Sequence, residues 1–272
     1  MENVRKNMKR IVIGDIHGHW DGFKKIYDLE DPDEVIILGD YFDNFHGTDD
    51  SIYECYRDIL YVRGEHLSKK KGDFIMLIGN HDFHYNHWFE KCSGYRSSMA
   101  VRNALILNSE ESAHLKFVYI DEVNNTIYSH AGVTNTWLKE NMGEHYDKDS
   151  YKFINEMNHQ TFKFTYKGGG DMYGNTIYAS PIWCRPRSLN EDSLVNENGE
   201  KMVQIVGHTH SQTPLIYDKQ GYEMDGSDID FINEYASEVK LYIIDTMPNY
   251  YIVEELDDNQ KLISRKIKHI ES

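Results

Sequence analysis

Five short clusters of glycine, histidine and carboxylate or amide residues recur along this chain, and each directly follows an apolar run. They occupy residues 14–18, 39–44, 79–82, 129–132 and 207–210. The first reads Gly-Asp-Ile-His-Gly and comes after Ile11, Val12 and Ile13. A short β-branched run that ends in glycine is typical of a buried strand that turns sharply at its carboxyl end. The clusters therefore predict strand ends that carry metal-competent side chains.

The carboxyl ends of strands in an open α/β sheet line one crevice, so these distant clusters are expected to meet. A single cluster has an ordinary explanation, since Asp after Gly is common in turns and a lone histidine is often a packing residue. Five in order argue against coincidence. Their donors are carboxylates, one amide and imidazoles without a thiolate, a set that suits Mn, Fe, Zn or Ni better than Ca or Mg.

The wider pattern predicts the fold class. Apolar strands at 9–14, 35–38 and 74–78 alternate with helical patterns at 20–29 and from 49 to just before 72, which indicates a β-α-β arrangement. Further helices are predicted at 96–107, 137–142 and 151–157, a hairpin from 115–120 and 126–129, a strand at 202–206, and a closing antiparallel run from 240–244, 250–253 and 261–266. We expect one α/β domain over residues 1–272, with two mixed β-sheets packed as a sandwich and helices outside.

Two loops interrupt this pattern. Residues 167–171 contain three glycines and are predicted to form a hinge or lid, and the acidic stretch 190–200 is predicted to be a solvated insertion.

Composition excludes some function classes. The chain has 29 Lys and Arg against 45 Asp and Glu, a net charge of −16, which argues against extended nucleic-acid binding. Its three cysteines have no paired spacing and do not suggest a disulfide framework. Because no apolar run approaches the ~20 residues that span a bilayer, and no signal peptide is evident, we expect a soluble cytoplasmic protein without membrane partners.

The five clusters resemble the ordered motifs of the calcineurin-like metallophosphoesterases, over residues 11–210. Within that superfamily the sequence is most similar to the Ser/Thr phosphoprotein phosphatase branch of phage and bacterial type. The resemblance implies an α/β/β/α sandwich with a two-metal centre at its strand ends.

The resemblance also implies a ligand set and an acid pair. Two divalent ions are expected, manganese first, with iron, zinc or nickel as alternatives. The seven implied ligands are Asp15 and His17 for the first metal, Asp40 bridging both, Asn80, His130 and His208 for the second, and His210 reaching back to the first. His81 is the implied general acid, and Asp43 is its orienting partner.

The sequence departs from that branch after Asp43, where Asn44 and Phe45 replace an arginine and a glycine. A replacement cation is offered by Arg185 and Arg187, in a segment similar to the Trp-x-Arg segment of phage and bacterial members. A guanidinium there can bind a phosphate dianion through two hydrogen bonds, although a solvated arginine pair is an equal alternative. Arg185, Arg187 and Asn44 are the predicted substrate-binding residues.

The expected function is hydrolysis of phosphate monoesters by attack of a metal-bridging hydroxide, on a phosphoprotein or a small phosphorylated substrate. Nucleotide phosphodiesters or dinucleoside polyphosphates are the alternative substrates. A non-catalytic binding module is a third possibility, and its mark would be an altered ligand. None of the seven ligand positions is altered.

Overall fold

The computed structural model describes residues 7–69, 71–86, 91–109, 112, 114–157, 164 and 170–270. Its strands are β1 Met8–Ile13, β2 Glu34–Ile37, β3 Phe74–Leu77, β4 Leu115–Lys116, β5 Val118–Asp121, β6 Thr126–Ser129, β7 Val203–Val206, β8 Leu215–Asp218, β9 Glu223–Met224, β10 Val239–Ile243, β11 Tyr250–Leu256 and β12 Leu262–His269. Its α-helices are α1 Trp20–Glu30, α2 Asp49–Ser68, α3 Asn80–Phe83, α4 Ala100–Leu107, α5 Asn135–Met142, α6 Pro186–Glu191 and α7 Ile229–Glu234. Short 3₁₀ helices cover Gly143–His145, Ser150–Glu156 and Ala236–Glu238.

The described strands form two mixed sheets of six strands each. The first has the order β12-β11-β1-β2-β3-β4, with β1 to β4 parallel and β11 antiparallel to β1. The second has the order β5-β6-β7-β10-β8-β9, with β6, β7 and β10 parallel. The predicted α/β class with two mixed sheets and flanking helices is confirmed.

Alternation along the central strands builds the sandwich. In β1, Ile11 and Ile13 pack with the helices α1 and α2, whereas Val12 belongs to the core between the two sheets. Strands buried on both faces need apolar residues at nearly every position, which is why β1, β2 and β3 read as continuous apolar runs. The carboxyl ends of β1, β2 and β3 are therefore supported by packing on both faces of the sheet.

A buried charge network ties the sheets together near the amino-terminal end of β1. The guanidinium of Arg10 is 2% exposed and donates to the carboxylates of Glu34, Asp121 and Glu254 at 2.7, 2.8 and 3.1 Å. Arg265 donates to Glu254 at 2.6 Å. Each of the three carboxylates in this network therefore has a cationic partner, which is the condition under which buried charges are tolerated.

Several predicted elements were placed wrongly. The run 115–120 is split, because Phe117 lies between β4, which joins the first sheet beside β3, and β5, which pairs with β6 in the second. Strand β10 lies between β7 and β8 and is not part of a closing run with β11 and β12. The predicted helix at 151–157 is a 3₁₀ helix, and the helix predicted from residue 96 begins at Ala100. Strands β8 and β9 and helix α7 were not predicted.

The two predicted loops differ in outcome. Residues 167–169 lie outside the described residues. The stretch 190–200 is not simply solvated. Leu194 is 1% exposed, and the residues on either side of it form β-bridges, Ser193 with Thr134 and Val195 with Lys201. No helix in the described part of the chain is long and apolar enough to cross a membrane.

Candidate metal centre

One crevice of about 330 Å³ lies at the carboxyl ends of strands from both sheets. The chain leaving β1 supplies Asp15 and His17, the chain leaving β2 supplies Asp40, and Asn80 begins α3 after β3. His130 and His208 follow β6 and β7. The lining includes Asp15, His17, Asp40, Asp43, Asn44, Asn80, His81, Arg185, His208, His210 and Asp245.

The first group of donors gathers around the amide of Asn80. Its Oδ1 lies 2.8 Å from His130 Nε2 and 2.9 Å from His208 Nδ1. His130 Nδ1 is 2.9 Å from the carbonyl oxygen of Leu38, which can only accept, so Nδ1 carries the proton and Nε2 a bare lone pair. Two lone pairs therefore face each other without a hydrogen between them, an arrangement that a cation stabilises.

The second group of donors shares the carboxylate of Asp40. Asp40 Oδ2 lies 3.4 Å from His17 Nε2 and also 3.4 Å from His130 Nε2. His17 Nδ1 donates to the carbonyl oxygen of Asp43 at 2.9 Å, which leaves its Nε2 free to bind a metal. Asp15 Oδ2 is 4.0 Å from His17 Nε2. Asp40 Oδ2 therefore lies close to a ring nitrogen of each of two histidines.

The spacing fits bound divalent ions, because metal–ligand bonds of about 2.0–2.2 Å put neighbouring ligand atoms roughly 3 Å apart. Burial raises the pKa of Asp15 and of Asp40, and the charges of Asp245 and Asp15 respectively add to the effect. Burial also lowers the pKa of His130 and of His208. Buried carboxylates that resist ionisation and imidazoles that stay neutral are both stabilised when a cation binds.

Two glycines make room for the carboxylates. A Cβ atom at Gly207 would lie 1.9 Å from Asp15 Oδ1, and one at Gly79 would lie 2.0 Å from Asp40 Oδ1. The backbone of Asp40 is in the left-handed region at φ 53°, as is that of His208 at φ 64°. Strain of this kind in non-glycine residues concentrates at functional sites.

An acid pair adjoins the two groups. His81 Nδ1 lies 3.1 Å from Asp43 Oδ2, and its ring centroid is 5.0 Å from that of His17. Burial by itself raises the pKa of Asp43, but hydrogen bonds led by that from His81 outweigh it and lower the pKa. An ionised, fixed carboxylate beside the imidazole can orient His81 as a proton donor.

A comparison with protein-family models identifies the family of this chain. The model described as calcineurin-like phosphoesterase matches residues 8–212. The chain belongs to the calcineurin-like phosphoesterase family. Membership implies divalent metal ions, and the donor groups described above fit them. A comparison with curated proteins finds no match for this sequence.

Solved structures share the phosphoesterase fold. A cold-active protein-tyrosine phosphatase from a psychrophilic Shewanella species is 14% identical with a TM-score of 0.58, over 97% of this chain and 81% of that one. A protein serine/threonine phosphatase from Saccharomyces cerevisiae, similar to human phosphatase PP5, is 13% identical with a TM-score of 0.51, over 99% and 82%. At these identities the likeness extends to the fold.

The predicted substrate-binding residues of this phosphoesterase lie in different environments. Arg185 lines the crevice and donates from its guanidinium to the carbonyl oxygen of His208 and to Thr209 Oγ1, both at 3.2 Å. Arg187 is exposed and does not line the crevice. Asn44 does line it, but its Oδ1 accepts from the backbone of its own loop. Their substrate roles stay predictions, and the placement favours Arg185.

Two acidic or histidine residues that line the crevice, His210 and Asp245, contrast in burial. His210, a predicted ligand, lines the crevice, yet its side chain is 53% exposed. Asp245, which the sequence reasoning missed, is 3% exposed. Its Oδ1 is buried, has no hydrogen-bond partner among the described residues, and lies 3.6 Å from His210 Nδ1. The sequence signal that could have identified Asp245 is its position directly after the apolar run 241–244, although no glycine flanks it.

Proposed function

We propose that this phosphoesterase is a dinuclear metal-dependent phosphatase that hydrolyses phosphate monoesters on a protein or a small molecule. The observation that carries the proposal is the 2.8 Å distance between Asn80 Oδ1 and His130 Nε2, next to the Asp40 carboxylate. Two divalent ions, when bound, supply positive charge to phosphoryl oxygens and lower the pKa of water.

The chain's own residues perform the remaining tasks. The guanidinium of Arg185 faces the crevice and binds a terminal phosphate, whose three unshared oxygens need more positive charge than the two of a diester. His81, held by Asp43, donates a proton to the leaving oxygen. The shared fold of the Shewanella and yeast protein phosphatases is compatible with a protein-bound monoester as substrate.

A substrate panel tests this function. The purified protein, loaded with Mn²⁺, is assayed on p-nitrophenyl phosphate, its bis-ester, a phosphopeptide and a dinucleoside tetraphosphate. We expect turnover of the two monoesters, loss of activity on chelation and recovery when Mn²⁺ is added back. Preferred turnover of the bis-ester or the tetraphosphate would replace the monoester proposal with the corresponding alternative.

A matched pair of variants tests the metal mechanism. Asp40→Asn is expected to lower turnover by about 100-fold or more, because the shared carboxylate is lost. Asp230→Asn, an exposed aspartate of α7, is the control and should leave turnover unchanged. If Asp40→Asn folds normally and retains both metal binding and hydrolysis, the dinuclear mechanism is wrong.

A further inference from the structure

Asp43 has more partners than an orienting carboxylate needs. His81 Nδ1 lies 3.1 Å from its Oδ2, and His84 Nε2 lies 2.6 Å from the same oxygen. The hydroxyl of Tyr85 donates to the other oxygen. One carboxylate oxygen is therefore shared by two histidines, and His84, which is 3% exposed, has no role in the reaction described so far.

The far side of His84 contacts a thiol. His84 Nδ1 lies 2.9 Å from Cys92 Sγ, and Asn80 Nδ2 donates to the same sulfur at 3.4 Å. Cys92 Sγ also lies 3.9 Å from the backbone carbonyl oxygen of Asn80. Cys92 thus lies between the acid pair and an amide that faces the proposed metal ligands.

The short contact of 2.6 Å between His84 Nε2 and Asp43 Oδ2 favours one set of hydrogen positions around Cys92. The Asp43 carboxylate only accepts, so His84 carries its proton on Nε2, and its Nδ1 accepts from the thiol. The sulfur, having donated its hydrogen, is left as an acceptor. It therefore selects the NH₂ group of Asn80 and turns the amide oxygen toward His130.

We propose that Cys92 and His84 are positioning residues that couple the acid pair to the second metal position. Cys92 fixes the protonated nitrogen of His84 and the orientation of the Asn80 amide, and His84 holds Asp43 next to His81. The consequence for the reaction rests on the proposed phosphatase function, whereas the consequence for metal binding does not.

A third metal site is the competing explanation. Candidate ligand atoms of His81, His84 and Cys92 lie within 4.8 Å of one another. However, both ring nitrogens of His84 already lie close to another group, Nε2 at 2.6 Å from Asp43 Oδ2 and Nδ1 at 2.9 Å from Cys92 Sγ. An ion bound there would have to displace one of these contacts, so the hydrogen-bonded arrangement is favoured.

Metal titration tests the contact between Cys92 and Asn80. Calorimetry with Mn²⁺ compares the wild-type protein with Cys92→Ala, Cys92→Ser and the control Cys55→Ala, which removes a buried thiol on the core-facing side of α2. Cys92→Ala should weaken one of two Mn²⁺ sites by about 10-fold or more, since supporting residues change metal affinity by that order. Cys92→Ser, whose hydroxyl donates and accepts as the thiol does, should restore both sites, and Cys55→Ala should leave them unchanged.

Leaving-group dependence tests the contact between His84 and Asp43. A misplaced general acid slows esters with poor leaving groups more than activated ones. We expect His84→Ala to lower kcat for phenyl phosphate by about 10-fold more than kcat for p-nitrophenyl phosphate. His84→Gln, which keeps an N–H group at the position of Nε2, should recover most of the difference. His66→Ala, a buried histidine of α2, is the control and should affect both esters equally.

Three results would overturn the proposal: unchanged Mn²⁺ affinities in Cys92→Ala, equal loss on both esters in His84→Ala, or a third metal equivalent that disappears in Cys92→Ser. Failure of the proposed function has a different signature. A wild-type protein that hydrolyses no phosphate ester would contradict that function, while the Mn²⁺ titrations would still decide the role of Cys92.

Discussion

Asp82 anchors the backbone of Asp40. One oxygen of the Asp82 carboxylate accepts from the amide N–H of Asp40 at 2.8 Å and from that of Gly79 at 2.8 Å. The other oxygen accepts from Tyr41 and Phe42 at 2.7 and 3.2 Å. One buried side chain therefore joins the loop after β2 to the loop after β3 and sets the distance between Asp40 and Asn80.

Asp82→Asn should destabilise the protein and disturb the metal centre. The side chain of asparagine has only one oxygen, so it cannot accept all four N–H bonds that the two carboxylate oxygens of Asp82 accept. Hydrogen bonds to a charged group contribute roughly 1.5–3 kcal/mol each. We expect the free energy of unfolding to fall by about 2–4 kcal/mol in urea titration. We also expect weaker Mn²⁺ binding in calorimetry, and unchanged affinity in a folded Asp82→Asn protein would contradict the anchoring role.

Arg185 and Arg187 form a matched pair for substrate binding. Arg185→Ala should lower kcat/KM for p-nitrophenyl phosphate by about 10-fold to 100-fold, because a charged contact to the phosphate is removed. Arg187→Ala should change it less than about 3-fold, since the side chain is exposed and outside the crevice. Metal content by elemental analysis should be normal in both. Equal effects of the two substitutions would remove the specific role of Arg185.

Asp245 and His210 are alternative candidates for a ligand of the proposed first metal. The buried Oδ1 of Asp245 has no hydrogen bond within the described residues and would be stabilised by a nearby cation, whereas the half-exposed imidazole of His210 is not under that constraint. Asp245→Asn is therefore expected to weaken Mn²⁺ binding by about 10-fold, and His210→Ala to weaken it less. Calorimetry on both variants gives the comparison, and the reverse order would support His210 as the ligand.

Gly207→Ala should damage the same centre by crowding. The new methyl group would lie 1.9 Å from Asp15 Oδ1, so the carboxylate must move. We expect Mn²⁺ affinity to fall by about 10-fold or more. Gly64→Ala, in α2 with no neighbour within 4 Å, is the control and should leave affinity unchanged while stabilising the helix by up to about 1 kcal/mol.

Metal affinity should rise with pH. Burial raises the pKa of Asp15 and Asp40, so protons compete with the metal until the pH exceeds those raised values. The buried histidines His130 and His208, whose pKa values are lowered, are already neutral and release none. At a pH just above the ordinary range of an aspartate, titrations in buffers of different ionisation enthalpy should show proton release on Mn²⁺ binding. Asp40→Asn should release fewer protons, and proton uptake would contradict the assignment.

The local sequence pattern was enough to predict most of the residues that line the crevice. Asp15, His17, Asp40 and Asn80 follow apolar runs with an adjoining glycine, and those glycines are required where the carboxylates approach the backbone. The strand positions followed from the same apolar runs. Sheet membership did not, because a strand such as β4 or β10 has the same local pattern whichever partner it pairs with.

The sequence by itself determined the family, the fold class and the strand ends that carry the donor groups, since these depend on side-chain periodicity and short motifs. Only the tertiary structure decided which donors converge, with Asp245 buried and His210 half-exposed. It also decided that His84 and Cys92 meet Asp43 and Asn80. Those contacts join loops far apart in the chain, and their distances depend on how the two sheets pack, which no local pattern records.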